Sequence, residues 1–250
     1  MDKRQELPRK PRKLKNQEIV VNLEEPSELS ECFPLLAERM VALSDGNGGN
    51  PLSVLITSTC SGEGKTYLSV NLALSLAVAG KKVLLMDMDL RKGALSALLG
   101  GAGKPGLGDL EQAGEGGWRS LVEQSPVSDH LDYLFAGTVP DHPSRLLLHD
   151  RIRKLMEEVK EQYDFIFMDC VPYSSLADAR IVARLADVTL YVMRAGCVKK
   201  RDLAGLQKIW KNGELKRMGI VLCDVEPHGR SSRGYAVYRS LDTSSPCAGK

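Results

Sequence analysis

The residues best suited to chemistry lie together in the stretch 57–67, which reads TSTCSGEGKTY. Its two glycines would let backbone N–H groups wrap around a polyphosphate. Lys65 would then reach the β- and γ-phosphates, and the Thr66 hydroxyl would bind magnesium. We therefore predict a loop that binds ATP and Mg²⁺. The expected nucleotide contacts are Ser61, Gly62, Glu63, Gly64, Lys65, Thr66 and Tyr67.

The sequence on either side of this loop decides whether the motif is meaningful. The apolar run 52–56 predicts a buried strand, and leucines at helical spacing predict a helix over 65–79 that Gly80 caps. Strand, glycine loop and helix together form the context that a phosphate-binding loop requires. Because Thr59 stands where the usual pattern has glycine, a chance Gly-x-Gly-Lys-Thr turn is the alternative, and the flanking elements argue against it.

Carboxylates end two further apolar runs. The run 82–89, KVLLMDMD, ends in Asp87 and Asp89, and 163–172, YDFIFMDCVP, contains Asp169. If the first strand continues to its last residue, alternation places both of its acids on one face. Open α/β sheets bind ligands at the carboxyl ends of their strands, so these acids could bind magnesium, position water or accept a proton. The alternative is a solvated strand end.

Strands alternate with helices along the rest of the chain. Further strands are expected at 131–135, 187–193 and 218–223, and helices at 27–43 (kinked or split at Pro34), 94–99, 107–111, 143–162, 178–185 and 201–212. This alternation predicts an α/β fold in which helices cover both faces of a mainly parallel central sheet. With the phosphate loop, it predicts a P-loop NTPase.

Composition and charge narrow the class of protein. The chain has 250 residues, 43% hydrophobic and 26% charged, which is typical of a globular protein, and its net charge of +2 gives no indication of nucleic acid binding. Six cysteines without a C-x-x-C pair indicate reduced thiols in a cytosolic protein. We find no signal peptide and no apolar run long enough for a membrane span.

Three regions differ in composition. We predict a flexible basic arm over 1–26, a nucleotide-binding domain over 27–226 and a flexible tail over 227–250 that carries Tyr235 and Tyr238. The arm would be either a solvated tail or a segment attracted to anionic lipid or to a membrane-bound partner. Seven basic residues over 199–217 are interpreted mainly as a solvated face, with a binding role as the alternative.

The motifs together identify a family. SGEGKT, LLMDMDLRKG and DFIFMDCVP occur in the order and spacing of the phosphate loop and two Walker motifs of the bacterial tyrosine kinases (BY-kinases) of capsule and exopolysaccharide synthesis. LFAGTVPDHPSRLL, LADAR and GIVLCDV support the match. The chain resembles this family over 27–225. The resemblance places it among the deviant-Walker, partition-ATPase-like proteins.

The resemblance implies an ATP-dependent protein-tyrosine kinase that phosphorylates itself in trans. Lys65 and Thr66 would hold the phosphates and magnesium, and Asp87 would be a magnesium ligand or the base. Asp89 and Asp169 would complete the metal site, and Arg91 would steady the acids or the phosphates. The acceptors would be Tyr235 and Tyr238 of a neighbouring subunit.

The resemblance also implies partners and a location. The expected partners are a separate membrane polysaccharide co-polymerase that activates the kinase, further copies of the chain, which could form a ring, and protein substrates of polysaccharide synthesis. The protein would then be cytoplasmic and associated with the membrane through its activator.

Two other functions stay open at the level of sequence. A partition-type ATPase would carry a second lysine at the start of the loop, where this chain has Cys60. A non-catalytic nucleotide-binding regulator is compatible with a tail of only two tyrosines, and with Pro34 and Ala37 where the kinases carry arginines. Phosphotyrosine in the tail after incubation with ATP would distinguish the kinase from both.

Overall fold

A single eight-stranded sheet organises the molecule. The computed structural model describes residues 28–114, 116–225 and 238–240, and the side chains of 32–114 and 116–225. The strands are β1 (Leu52–Ser58), β2 (Val83–Asp87), β3 (Val122–Gln124), β4 (Leu131–Leu134), β5 (Phe165–Asp169), β6 (Val188–Arg194), β7 (Met218–Cys223) and β8 (Tyr238–Ser240). Their order is β3-β4-β2-β5-β1-β6-β7-β8. Only the edge strands β3 and β8 run antiparallel to their neighbours, so the predicted mainly parallel sheet is confirmed.

Helices cover both faces of the sheet. They are α1 (Glu28–Asp45), α2 (Lys65–Val78), α3 (Ala94–Leu98), α4 (Pro143–Leu148), α5 (Asp150–Lys160), α6 (Ala177–Val182) and α7 (Lys200–Lys211), with 3-10 turns at Leu107–Asp109 and Gly117–Leu121. Alternate residues of one strand enter different cores: Leu84 and Met86 pack with α4–α6, whereas Val83 and Leu85 pack with α1 and α2. Both faces of the strands are therefore buried, as in other parallel sheets.

Two helices differ from their predicted extents. Helix α1 is continuous through Pro34, which excludes the split that was one of the two expectations there, and its buried Phe33 and Met40 anchor it in the core on either side of the proline. The single helix predicted over 143–162 is two helices, because His149 adopts an extended conformation between α4 and α5. The His149 ring accepts the Arg151 N–H, so the break itself caps the second helix.

The tail contains a strand that the sequence did not predict. Residues 238–240 form β8, with Tyr238 opposite Val221 of β7, inside the tail expected to be flexible over 227–250. The arm over 1–26, Tyr235 and most of the tail lie outside the described residues, so their predictions stay predictions. Within the described ranges, no helix is both long and apolar enough to cross a bilayer.

The register of the three central strands determines what meets at the carboxyl edge of the sheet. Ile56 of β1 is aligned with Asp169 of β5, and Asp169 is aligned with Asp87 of β2. Strand β2 ends at Asp87, two residues earlier than the apolar run suggested, so the expected alternation does not extend to Asp89. The phosphate loop and the acids therefore leave the sheet side by side.

Candidate functional site

A cavity of about 440 Å³ opens at this carboxyl edge. Its walls come from the phosphate loop, the segment after β2 and the segment after β5. The lining residues are Ser61, Gly62, Gly64, Lys65, Thr66, Tyr67, Asp89, Arg91, Lys92, Ala94, Asp169, Cys170, Val171, Pro172, Ser175 and Leu176. The structure thus brings together in one cavity most of the residues that the sequence singled out from three separate segments.

The phosphate loop has the backbone shape that its glycines predict. Gly62 and Gly64 adopt positive φ angles of 83° and 93°, and α2 begins immediately afterwards at Lys65. No side chain caps the first turn of α2, so the N–H groups of that turn are available to donate hydrogen bonds to phosphate oxygens in the cavity. Glu63 is buried, and its carboxylate accepts the Cys60 N–H at 2.6 Å, which fixes the loop internally.

Thr59, the residue in place of the usual glycine, has a structural explanation. Its hydroxyl lies 3.2 Å from the buried Tyr191 hydroxyl of β6. This contact ties the start of the loop to the neighbouring strand, and the glycine of the usual pattern has no side chain to make it. The departure from the common motif therefore supports the loop conformation.

Lys65 places its ammonium at the base of the loop. Its Nζ donates to the Ser58 Oγ at 3.0 Å. Burial lowers the pKa of Lys65, and the charges of Asp169, Glu63 and Asp89 partly oppose that effect. Phosphate oxygens would give this half-buried cation the negative partners that it lacks among its direct hydrogen bonds.

Asp169 is a buried acid that lines the cavity. Its two carboxylate oxygens accept the Thr66 hydroxyl at 2.7 Å and the Ser69 hydroxyl at 3.0 Å. Burial, with a smaller contribution from Asp87, raises the pKa of Asp169 to about 7. Asp169 and its partner Thr66 both line the cavity.

Asp87 is enclosed, and Asp89 is not. The Asp87 carboxylate accepts the Ser96 N–H at 2.8 Å, the Ser96 hydroxyl at 2.7 Å and the Asp89 N–H at 3.1 Å. The side chain has no exposed surface, and burial raises the pKa of Asp87 to about 6. Asp89 lines the cavity and accepts the N–H groups of Arg91 and Lys92.

Arg91 makes a contact that the sequence did not predict. Its Nε donates to Asp178 at 2.8 Å, and the Ser144 hydroxyl donates to the other Asp178 oxygen. The expected role of Arg91 was to steady the acids or the phosphates. In the structure it joins the segment after β2 to the start of α6, while lining the cavity mouth.

Sequence reasoning missed the side chains that hold the acids in place. Ser69 and Ser96 carry no motif of their own, although Ser69 lies one helical turn after Lys65 and could have been found from that spacing. Asp178 lies within the LADAR motif, but its bond to Arg91 was not predicted. Of the predicted acceptors, Tyr235 lies outside the described residues and Tyr238 is described only as backbone in β8.

The donor set fits magnesium held together with a nucleotide. Thr66, Asp89 and Asp169 supply oxygen atoms at the cavity wall, which is the ligand type that Mg²⁺ prefers. Over the described ranges, no group of three or more His, Cys, Asp or Glu side chains is arranged to hold an ion by itself. Mg²⁺ commonly binds through one or two carboxylates plus substrate phosphates, so the phosphates would complete this site.

The two buried acids predict a pH effect on stability. In the folded chain the pKa values of Asp87 and Asp169 are raised to about 6 and about 7, above the ordinary value of 3.8. Between pH 3.8 and the raised pKa of each acid, the folded chain binds more protons than the unfolded chain, so raising the pH favours unfolding. We expect the contribution of these acids to the stability of the nucleotide-free protein to fall as pH rises from 4 to 8. Urea unfolding of the wild type and of the Asp87→Asn/Asp169→Asn variant across this pH range would measure the contribution. If the difference in free energy of unfolding between the two proteins does not change with pH, the prediction is contradicted.

Comparisons with known proteins agree with this geometry. Residues 54–249 match the CobQ/CobB/MinD/ParA nucleotide binding domain family. The tyrosine-protein kinase YwqD of Bacillus subtilis is 32% identical over 186 residues, which are 73% of this chain and 76% of YwqD. EpsB of Ralstonia nicotianae is 35% identical over 209 residues, but the chain spans only 27% of its length.

Solved structures show the same fold. The kinase domain of the Escherichia coli tyrosine kinase ETK superposes with a TM-score of 0.75 at 25% identity, covering 92% of this chain and 88% of that domain. The BceF tyrosine kinase domain gives 0.68 at 30% identity, covering 79% of this chain and 78% of that one. MinD of Pyrococcus horikoshii with Mg-ADP gives 0.56 at 24% identity over 74% of each chain, which shows the shared fold alone.

Proposed function

The chain belongs to the bacterial tyrosine kinases within the CobQ/CobB/MinD/ParA nucleotide-binding family, and from that premise we propose that it transfers the γ-phosphoryl group of ATP to tyrosine. The convergence of Lys65, Thr66 and Asp169 on one cavity carries the proposal. Phosphoryl transfer needs positioning and charge neutralisation rather than covalent chemistry, and this cavity supplies both.

Each residue of the cavity has a role in this proposal. The N–H groups of the loop and of the first turn of α2 would hold the phosphates, and Lys65 would neutralise charge on the transferred group. Thr66, Asp89 and Asp169 would hold Mg²⁺, which supplies further charge neutralisation when bound.

The burial of Asp87 bears on its role. Because Ser96 and the Asp89 N–H already donate to its carboxylate and the side chain has no exposed surface, a tyrosine hydroxyl could not reach it in this conformation. The same burial also keeps a metal ion from its carboxylate, so in this conformation a role in shaping the segment that carries Asp89 fits better than either predicted role, magnesium ligand or base. Asp89, which lines the cavity, is better placed to receive a proton from the substrate.

The acceptors and partners follow from the family. We propose that Tyr235 and Tyr238 are phosphorylated by a neighbouring copy of the chain, and that a membrane polysaccharide co-polymerase activates the kinase. Association with the membrane would then pass through that partner, and protein substrates of polysaccharide synthesis would be further targets.

Mass spectrometry of the tail tests the proposal. Incubation of the purified protein with ATP and Mg²⁺ should produce phosphotyrosine at Tyr235, Tyr238 or both, because a triphosphate in the open cavity would be accessible to a tyrosine hydroxyl of a second copy. Tyr235→Phe/Tyr238→Phe should abolish that signal and leave ATP binding unchanged, since the change removes only the two acceptor hydroxyl groups.

A protein that binds ATP and forms no phosphotyrosine, even with its membrane activator present, would contradict kinase activity. ATP hydrolysis without transfer would favour the partition-type ATPase. Binding without hydrolysis or transfer would favour the non-catalytic regulator.

A further inference from the structure

The outward face of α7 is basic along its whole length. Lys200, Lys208 and Lys211 are exposed, and the exposed Leu203 lies among them with half of its surface accessible. The opposite side of α7 packs on the sheet through the buried Leu206. We call the exposed Lys200, Leu203, Lys208 and Lys211 the α7 face.

The α7 face has no acid of its own on the helix, and beyond the end of the helix the positive charge of Lys208 contributes to lowering the pKa of the exposed Glu214. The nearest carboxylate on the helix, Asp202, is only partly exposed and accepts the Lys199 N–H at 2.9 Å as part of the helix cap. Among the residues that the structure describes, Lys200, Lys208 and Lys211 form no ion pair. A row of lysines without ion pairs on one helix differs from the paired surface charges elsewhere, such as Lys104 with Glu123.

Charge is segregated along the chain in a way that reinforces this face. Segments 199–217 and 1–16 each contain seven basic and two acidic residues, although the whole chain has a net charge of only +2. The remaining residues must therefore be net acidic. A molecule whose basic residues are concentrated in this way would turn its basic side toward an anionic surface.

We propose that the α7 face binds an anionic lipid surface directly. The lysines would contact headgroup phosphates, and Leu203 would enter the boundary between headgroups and acyl chains, as apolar side chains of interfacial helices do. No α7 residue lines the nucleotide cavity, so binding through this face would leave the cavity open. The inference does not depend on the kinase activity proposed above.

Vesicle flotation with the full-length protein tests the inference. We expect binding to vesicles of phosphatidylcholine with one third phosphatidylglycerol, no binding to phosphatidylcholine alone, and a steady loss of binding as salt rises. Lys200→Gln/Lys208→Gln/Lys211→Gln should lower the partition coefficient about 100-fold, since each lysine near such a surface contributes roughly a factor of five. The matched control, Arg39→Gln/Arg145→Gln/Arg153→Gln, removes the same charge from exposed positions of α1, α4 and α5 and should lower it far less.

Leu203→Ala separates lipid insertion from simple charge attraction. It should weaken the binding that remains at high salt, where attraction between charges is screened. Equal binding by the α7 variant and the wild type would overturn the inference and assign the attraction to the basic arm. Failure of the wild-type protein to bind any anionic vesicle would also overturn it, and an acidic protein would then be the better candidate partner. ATP binding by each variant confirms that it is folded.

Discussion

Replacing Lys65 with alanine is expected to abolish phosphotyrosine formation in the tail. The ammonium of Lys65 is half-buried at the base of the phosphate loop, and within the described part of the chain it donates to a neutral partner, the Ser58 hydroxyl. Removing it should weaken ATP binding roughly 10- to 100-fold, the value of a charge-assisted hydrogen bond of about 1.5–3 kcal/mol. The rate of transfer should fall by a further factor of roughly 10³, because charge that develops on the transferred group loses a preorganised cation.

Mass spectrometry of the tail and a titration with ATP would measure the two effects separately. Lys82→Ala is the matched control, since Lys82 is an exposed lysine before β2, at the opposite edge of the sheet from the cavity. Lys65→Ala protein that still phosphorylates its tail at a rate close to wild type would show that this cavity is not where transfer occurs.

Asp169→Asn should have effects of opposite sign on activity and on stability. Asparagine preserves the size of the side chain but removes the charge that would hold Mg²⁺ beside Thr66. The rate of Mg²⁺-dependent transfer should therefore fall roughly 10³-fold, which corresponds to a loss of several kcal/mol of transition-state stabilisation. In the absence of nucleotide at pH 8 the variant should unfold at a higher temperature than the wild type. Burial raises the pKa of Asp169 to about 7, so at this pH the wild type holds an ionised carboxylate in a site that disfavours it.

Thermal unfolding at pH 5.5 and pH 8 would check the second effect. At the lower pH the wild-type carboxyl is mostly protonated, and the advantage of asparagine should shrink. Ser75→Ala is the control for general perturbation of the core, because Ser75 is a buried polar residue of α2 that does not bond to Asp169. Variant protein that is less stable than wild type at both pH values would show that the hydrogen bonds of Asp169 outweigh its desolvation.

The sequence predicted the functional site better than it predicted the edge strands of the sheet. Three apolar runs that end in functional residues had to meet, because parallel strands present their carboxyl ends at one side of the sheet. The register confirmed this through the pairs of Asp169 with Ile56 and Asp87. Strands β3 and β8 were missed because each is a three-residue edge strand whose formation depends on its neighbour rather than on its own pattern.

The burial of Asp87 could not be predicted from its position at a strand end. Local alternation treats Asp87 and Asp89 alike, but Ser96 at the start of α3 folds back and donates twice to Asp87. The break at His149 was missed because 143–162 keeps a helical apolar pattern throughout, and that pattern does not reveal the local cap that the His149 ring gives to α5.

The alignment of β2 with β5 also limits where the chain can change in length. A residue inserted within either strand would shift one acid by a full step relative to the other and turn alternate side chains to the wrong face. An insertion in the glycine-containing connection between Leu110 and Trp118 would leave that alignment untouched. Related chains should therefore tolerate length variation in this connection far more readily than anywhere within 83–87 or 165–169.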